Sequence, residues 1–251
     1  MPVPSTSQLL LAGVVMLAFT VESAIGFGAM LVTVSLGSAL LRLDVLLAAV
    51  VPLNVGLSAY LTARYAREVD RPLFTRRVVP AMLLGLPVGL LALSRLDPRW
   101  LKGALGAFVV VVAVAELTKR RDDGARTPRL ARPTAWGLLA LAGVFHGAFS
   151  TGGPLAVYVL SREGLDKAAF RATLSALWLV LGVVLVATYA ATGAVGRDSL
   201  VVSFALALPA ALGTALGELA HRRVSQRAFS RVVFALLVVV GVVLLAKSAA
   251  G

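Results

Sequence analysis

The stretch Ser150-Thr151-Gly152-Gly153-Pro154 decides the fold, because it interrupts a long apolar run in which a membrane helix would otherwise continue. Each glycine weakens a helix by about 1 kcal/mol relative to alanine, and Pro154 lacks the N–H group that a helix interior requires. Proline does suit the first turn of a helix that restarts. Gly26-Phe27-Gly28 interrupts an earlier apolar run in a similar way. The two stretches predict helices that stop and restart inside the membrane, where exposed backbone must be buried in protein or line a watery cavity.

The composition excludes an ordinary soluble domain. Of the 251 residues, 59% are hydrophobic, and the mean hydropathy is +0.91. The 24 basic residues outnumber the 12 acidic ones, but they lie almost entirely between apolar runs. That distribution sets the orientation of membrane proteins and does not indicate a nucleic-acid partner. The chain has no cysteine, so it contains no disulfide and no thiolate ligand for a metal. We therefore expect an all-α polytopic membrane protein whose surroundings are the lipid bilayer.

The order of the apolar runs repeats once along the chain. One membrane span needs about 20 residues, so a broken run of 33 residues is too long for one crossing and fits two half-length helices or a re-entrant pair. In each half, such a broken pair is followed by three runs of single-span length. The runs cover residues 9–41 (broken), 45–63, 78–94, 100–118, 134–160 (broken), 172–195, 200–220 and 232–249.

Two landmarks support a duplication. Placing Gly28 on Gly152 gives an offset of 124 residues, which pairs Glu22 with His146. The pattern Gly85-x3-Gly89 matches Gly213-x3-Gly217 at an offset of 128. Internal repeats of this kind usually mark repeated structural units. The sequence thus predicts three segments: a first membrane repeat (1–118), a basic cytoplasmic linker (119–133) and a second membrane repeat (134–251).

The basic loops predict how the repeats are oriented. If each broken run enters and leaves on one side, four loops share a face and carry 18 of the 24 basic residues. If every run crossed once, the two faces would carry 13 and 11, which gives no bias. The positive-inside rule favours the first arrangement and places both termini in the periplasm. Each repeat then crosses an odd net number of times, which predicts two inverted repeats, a known architecture of secondary transporters. The four loops cover residues 64–77, 119–132, 162–171 and 222–231.

A helix that restarts inside the membrane presents unpaired N–H groups and a partial positive charge, which together favour an anion. Serine and threonine hydroxyls beside each break would add donors. Asn54 either contacts substrate or forms an interhelical bond, and Arg171 either attracts anions or anchors its helix at the interface. The alternative for the glycines is that they only allow close helix packing. The predicted substrate-binding residues are Ser23, Gly26, Phe27, Gly28, Asn54, Ser150, Thr151, Gly152, Gly153, Pro154 and Arg171.

Glu22 and His146 are the two ionisable residues that lie deep inside the broken runs. Ionisable groups at such depth are costly and usually functional, so we predict that both take part in proton coupling. For His146 the alternative is a hydrogen-bonded core histidine. Glu218, near the end of its apolar run, is expected in a surface ion pair.

The chain lacks the sequence motifs of common catalytic sites. It has neither a Gly-x4-Gly-Lys-[Ser/Thr] phosphate loop nor a His-Glu-x-x-His or Gly-x-Ser-x-Gly motif. The sequence therefore predicts a protein that is not an enzyme and that uses no cofactor and no metal.

The duplicated plan and its motifs resemble one known family. Gly26-Phe27-Gly28 in one half, and Ser150-Thr151-Gly152-Gly153-Pro154 followed by Tyr158-Val159-Leu160 in the other, are similar to the TauE/SafE sulfite exporter family, also called the toluene sulfonate uptake permease family. The resemblance implies secondary transport of small anions across the bacterial inner membrane, often sulfite, sulfonates, sulfoacetate or other sulfur-containing organic acids. The chain departs from many members at Ala29, where they have a further glycine, and at residues 31–34, where they have a proline.

Three function classes follow from these patterns. The leading hypothesis is a secondary active transporter of a small anion, driven by a proton or ion gradient, in which the halves rock about broken helices that meet near the midplane. A membrane-embedded transferase would need a convergent set of acids, bases or metal ligands. A scaffold protein that transports nothing would leave the duplicated breaks unexplained. The sequence does not decide whether the protein forms a homodimer.

Overall fold

The structure is a computed structural model that describes residues 6–118 and 129–223, together with 235, 238–239, 241–243, 245–246 and 248–249. Within these residues all regular structure is helical, as the sequence predicts. Most of the predicted linker and much of the last apolar run lie outside the described residues.

Ten α-helices are described, joined in places by single turns of tighter or wider helix. They are α1 (Thr6–Ile25), α2 (Ala29–Gly37), α3 (Leu43–Arg64), α4 (Arg71–Leu73), α5 (Val79–Arg95), α6 (Pro98–Thr118), α7 (Arg132–Phe149), α8 (Gly153–Leu160), α9 (Lys167–Ala191) and α10 (Arg197–Arg223), with a 3₁₀ turn at Ala66–Glu68 and a π-helical turn at Phe74–Val78.

Five of the described helical stretches are long and apolar enough to cross a membrane, judged by length and composition. Each coincides with an apolar run of the sequence. The stretches are Ser7–Ala24, Leu43–Arg64, Arg71–Arg95, Ala168–Ala191 and Arg197–Leu219.

Both predicted breaks are present, but they divide their runs unequally. Helix α1 has 20 residues and α2 has 9, and the second pair divides as 18 and 8. The interpretation as two half-length helices is therefore wrong for α1, which is of single-span length. The reason is that α1 already starts at Thr6, before the apolar run, and continues until Gly26 and Gly28 adopt positive φ angles of 91° and 113°. Glycine is the residue that takes such angles without a steric penalty.

The described chain divides into two compact units that do not coincide with the predicted repeats. The first unit holds the described residues up to Val79 and Lys167–Arg223, and the second holds Pro80–Asp166 with the described positions after 223. Each unit thus combines helices from both halves of the sequence. The inverted orientation of the repeats stays a prediction.

In the first unit, α10 packs against α1 through two glycines. A methyl group added to Gly213 would lie 2.3 Å from the carbonyl oxygen of Met16, and one added to Gly217 would lie 2.5 Å from that of Thr20. Such distances mean that the two backbones touch, which is how small residues bring membrane helices together. The Ser23 hydroxyl donates a hydrogen bond across the same contact to the carbonyl oxygen of Thr214, at 3.0 Å.

In the second unit, α5 packs against α7 in the same way. A methyl group added to Gly85 would lie 1.9 Å from the carbonyl oxygen of Ala140, and one added to Gly89 would lie 2.0 Å from that of Val144. Ala140 and Val144 are the residues that the offset of 124 pairs with Met16 and Thr20. The glycine pair of each half therefore packs on the equivalent turns of the other half's broken helix.

This packing predicts a position-specific cost for alanine. Gly213→Ala and Gly85→Ala are each expected to destabilise the protein by about 1–3 kcal/mol, because the methyl group would overlap a carbonyl oxygen. Matched controls are Gly13→Ala in α1 and Gly137→Ala in α7, where an added methyl group meets nothing within 4 Å. Thermal unfolding in detergent measures the difference. Equal unfolding temperatures for the four variants would contradict the close backbone contact.

Candidate functional site

The predicted site residues form two clusters, one in each compact unit. The first lies at the break between α1 and α2. Glu22, whose side chain is only 3% exposed, accepts a hydrogen bond from the backbone N–H of Ala29, the first residue of α2, at 2.9 Å. Its other carboxyl oxygen accepts from the side-chain amide of Asn54 on α3, also at 2.9 Å. The start of α2, proposed from the sequence as an anion site, is therefore already occupied by a carboxyl group of the chain.

Side chains from a neighbouring helix bond to and cover the remaining backbone of the first break. The carbonyl oxygen of Gly26 accepts a hydrogen bond from the indole N–H of Trp178 on α9, at 3.2 Å. The stem of Arg171 covers Gly26 so closely that an added methyl group would lie 3.2 Å from its Cγ. Phe27 is buried, and Gly28 provides the positive φ angle from which α2 starts. The first break is thus an internally bonded structure.

Arg171 is buried beside this break and forms an ion pair with Glu218 of α10. Its guanidinium group also lies over the ring of Tyr65, 5.0 Å from the ring centre. The expected surface pair of Glu218 is thus a partly buried one, since the exposed fractions of the Arg171 and Glu218 side chains are 9% and 23%. A buried arginine that lost its carboxylate would be strongly destabilising. We assign Arg171 first to holding α9 and α10 together.

The second cluster lies at the break between α7 and α8. Helix α7 is terminated by Ser150, the residue after its last turn, which adopts a left-handed conformation with a φ angle of 54°. The Ser150 N–H donates to the carbonyl oxygen of His146 at 2.7 Å. Ser150 is the non-glycine residue with positive φ in the described chain. A methyl group on Gly152 would lie 2.3 Å from the carbonyl oxygen of Ala142, so the returning chain presses directly on α7.

The second break differs from the first in its unmatched donors. Ser150 is 4% exposed and Thr151 is 2% exposed, and neither hydroxyl has a hydrogen-bond partner within the described part of the chain. Both stand directly before α8, which starts at Gly153 with Pro154 in its first turn. A buried polar group without a partner costs about 1–3 kcal/mol. Unmatched hydroxyls next to a helix start therefore point to a ligand.

The predicted internal repeat pairs Glu22 with His146, at an offset of 124 residues. In the first half the carboxyl group of Glu22 caps the restarted helix. In the second half that position holds His146, which is buried and ends in an imidazole. A carboxylate repels an anion, whereas an imidazole can donate a hydrogen bond to one. Where the first break holds a carboxyl group, the second break thus holds an imidazole.

The remaining predicted residues have different surroundings. Ser23 bonds to the backbone of α10 and Asn54 bonds to Glu22, so both hold helices together. Gly153 and Pro154 are half-buried. For Asn54 the interhelical alternative agrees with the structure, and a role in substrate binding stays a prediction.

Sequence reasoning missed Trp178, which supports the first break. Tryptophan in membrane helices concentrates near the interfaces, whereas Trp178 lies near the middle of α9. A buried indole N–H needs an acceptor. That combination was the available signal for a freed carbonyl group nearby.

The strain at Ser150 gives a second prediction. A residue other than glycine pays roughly 1–2 kcal/mol for a left-handed conformation. Replacing it with glycine removes that strain, but the gain is smaller because glycine loses more conformational freedom on folding. Ser150→Gly is therefore expected to stabilise the folded protein by up to about 1 kcal/mol while weakening anion binding. Ser161→Gly is the control, because Ser161 has a right-handed conformation, with a φ angle of −62°, and gains nothing from glycine. Thermal unfolding without ligand measures the stability, and a lower unfolding temperature for Ser150→Gly would contradict the strain.

Within the described residues no group of three histidine, cysteine or acidic side chains is placed to hold a metal ion.

Comparisons with known proteins agree on a membrane transport family. The sequence matches the family described as "Sulfite exporter TauE/SafE" over residues 10–244. It is 27% identical over 165 residues to a protein of Comamonas testosteroni named "Probable inner membrane transporter protein TsaS", covering 65% of this chain and 68% of that protein. No solved structure matches.

Proposed function

Because the chain belongs to the TauE/SafE sulfite exporter family, we propose that it is a secondary transporter of a small sulfur-containing anion in the bacterial inner membrane. The name of the similar protein, a probable inner membrane transporter, supports the class of function and the membrane.

The contrast between the two breaks carries the proposal. At the first break, the Glu22 carboxyl group indicates how an anion could bind at a restarted helix. One of its oxygens accepts from a backbone N–H and the other accepts from a neutral side-chain amide. At the second break, two buried hydroxyls and the start of α8 offer similar donors without a carboxyl group to receive them. Helix N-termini bind oxyanions readily. We assign this second break to the substrate anion.

The donors favour an oxyanion with several acceptor oxygens. Ser150 and Thr151 each supply one O–H donor, and the first turn of α8 supplies backbone N–H groups directed along the helix axis. Sulfite and sulfonates carry three oxygens on one sulfur, so a single headgroup can accept from both hydroxyls and the helix start. A carboxylate can also accept several hydrogen bonds, but its two oxygens lie in one plane, whereas the three oxygens of a sulfite or sulfonate point in three directions. The site therefore favours sulfite or a sulfonate over a simple carboxylate.

Glu22 is the proposed proton carrier. It is buried, and the partners that the structure gives it are neutral donors, the Ala29 N–H and the Asn54 amide. A carboxyl group held in this way can be accommodated with or without its proton. Loss or gain of the proton changes the interaction that caps α2, and a change at a helix break can shift the balance between two conformations.

The repeated packing supports alternating access by two equivalent halves. Gly213 and Gly85 rest on residues that the same offset relates, Met16 and Ala140. In transporters with inverted repeats, each half presents a broken helix to the substrate while the halves rock. We propose this arrangement here, with both termini in the periplasm as the loop charges predict.

A thermal-shift screen of the purified protein tests the proposed substrate class. The anions are sulfite, sulfate, thiosulfate, sulfoacetate, taurine and simple carboxylates, and a ligand that binds only the folded state stabilises it by about 2.7 kcal/mol at 100 times its Kd. We expect a shift for sulfite or one sulfonate, lost in the Ser150→Ala, Thr151→Val double variant. A carboxylate that shifts the protein as strongly as any sulfur anion would contradict the proposed selectivity. No shift with any anion would contradict an anion site.

A further inference from the structure

A groove lies between α3 and α10 in the first unit. It has a volume of about 620 Å³ and is walled largely by apolar side chains. Leu57 contributes from α3, and Ala211, Ala215 and Leu219 contribute from α10. Leu219 is 57% exposed, so the groove opens on the outer surface of the first unit. In a chain that lies in a bilayer, an exposed apolar surface of this kind faces lipid.

One end of the groove is polar. Tyr60 and Arg64 line it there, and the Arg64 guanidinium donates a hydrogen bond to the Tyr60 hydroxyl at 3.3 Å. Glu218 also lines this end, but its carboxylate is paired with Arg171. No carboxylate lies within ion-pair distance of Arg64 in the part of the chain that the structure describes. Arg64 therefore gives the groove a positive charge.

The charge continues beyond the groove. Arg64 is the last residue of α3, and the segment that follows carries four more arginines against two acidic residues, up to the π-helical turn. Arg76 is one of these arginines and is exposed without lining the groove. Basic groups at the membrane surface attract anionic lipid headgroups, at about 1 kcal/mol for each lysine or arginine. The groove thus combines apolar walls with a positively charged end at Arg64.

We propose that this groove binds one anionic diacyl phospholipid, with an acyl chain along α3 and α10 and its phosphate at Arg64 and Tyr60. The apolar walls match the chain, and the arginine and phenol match a phosphodiester, which accepts hydrogen bonds from both. Arginine stems commonly lie along apolar surface while the guanidinium reaches the headgroup level. A soluble anion would use the polar end and leave the apolar walls without a partner. None of the lining residues of the groove belongs to the proposed substrate site, and the lipid proposal does not depend on that site.

Native mass spectrometry of the full-length protein, exchanged into defined mixtures of phosphatidylglycerol and phosphatidylcholine, tests the proposal. We expect one phosphatidylglycerol to be retained, and Arg64→Gln to lower its retention by clearly more than about fivefold, because the variant loses one surface charge and also the direct hydrogen bond to the phosphate. Arg76→Gln is the matched control and should lower retention by at most about fivefold, since it loses only a surface charge outside the groove. Ala215→Phe fills the apolar wall without changing charge and should also release the lipid. Unfolding temperatures in phosphatidylcholine alone establish that each variant is folded.

Three results would overturn the proposal. Equal losses in Arg64→Gln and Arg76→Gln would mean that the lipid follows the general basic charge. Full retention in Ala215→Phe would mean that the apolar groove holds no acyl chain. Stabilisation by glycerol phosphate equal to that by phosphatidylglycerol would mean that only a phosphate group is bound.

Discussion

Glu22→Gln is expected to abolish anion-coupled proton movement while leaving the protein folded. Glutamine keeps an oxygen that can accept from the Ala29 N–H, and the amide of Asn54 can turn to match the new side chain, so the cap of α2 survives. Glutamine cannot carry a proton in the physiological range. The measurement uses proteoliposomes that contain a pH-sensitive dye, in which an anion gradient should drive proton movement with the unaltered protein and not with the variant.

Glu68→Gln is the control for this experiment, because Glu68 is an exposed carboxylate in the 3₁₀ turn after α3. It should leave coupled movement unchanged. Normal proton movement in Glu22→Gln would remove Glu22 from the coupling mechanism. Uncoupled anion flux in the variant would agree with it, since the anion site lies at the other break.

Thr151→Val is expected to weaken binding of the anion by roughly ten- to a hundredfold. Valine has nearly the shape of threonine but lacks the hydroxyl, and a hydrogen bond to a charged group contributes about 1.5–3 kcal/mol. Because the Thr151 hydroxyl has no partner among the described residues, its removal should not destabilise the unliganded protein. Titration of the anion by calorimetry, with unfolding temperatures measured in parallel, gives both quantities.

Thr33→Val is the matched control for Thr151→Val. Thr33 lies in α2, is fully buried, and also has a hydroxyl without a partner in the described chain. Its loss should leave anion affinity unchanged, because it stands within the helix and not at its start. Equal losses of affinity in Thr33→Val and Thr151→Val would contradict a site at the second break.

The sequence predicted the breaks well because glycine and proline act locally. Gly26, Gly28 and Pro154 have the same conformational limits in any fold, so their positions indicated where α1 and α7 end. Offsets between glycine pairs also pointed to a duplication, and the helix contacts at Gly85 and Gly213 fall at equivalent positions.

The side chains that bond to each break could not be predicted from the sequence, because they come from distant segments of the chain. Asn54 meets Glu22 across 32 residues and Trp178 meets Gly26 across 152. A sequence pattern therefore described two similar anion sites, whereas in the described chain the unmatched hydroxyls that stand directly before a restarted helix are those of Ser150 and Thr151. The left-handed conformation of Ser150 was also hidden, since serine rarely adopts it. Equally, nothing local indicated that each compact unit would combine helices from both halves.

The most direct test of the central claim is to locate a heavy analogue of the anion in crystals. Selenite in place of sulfite, or selenate in place of sulfate, carries an anomalous scatterer with the same oxygen geometry. The account predicts a selenium peak at the start of α8, with oxygens within hydrogen-bond distance of the Ser150 and Thr151 hydroxyls. A peak at the start of α2 with Glu22 displaced from Ala29, or no peak for an anion that binds in solution, would contradict it.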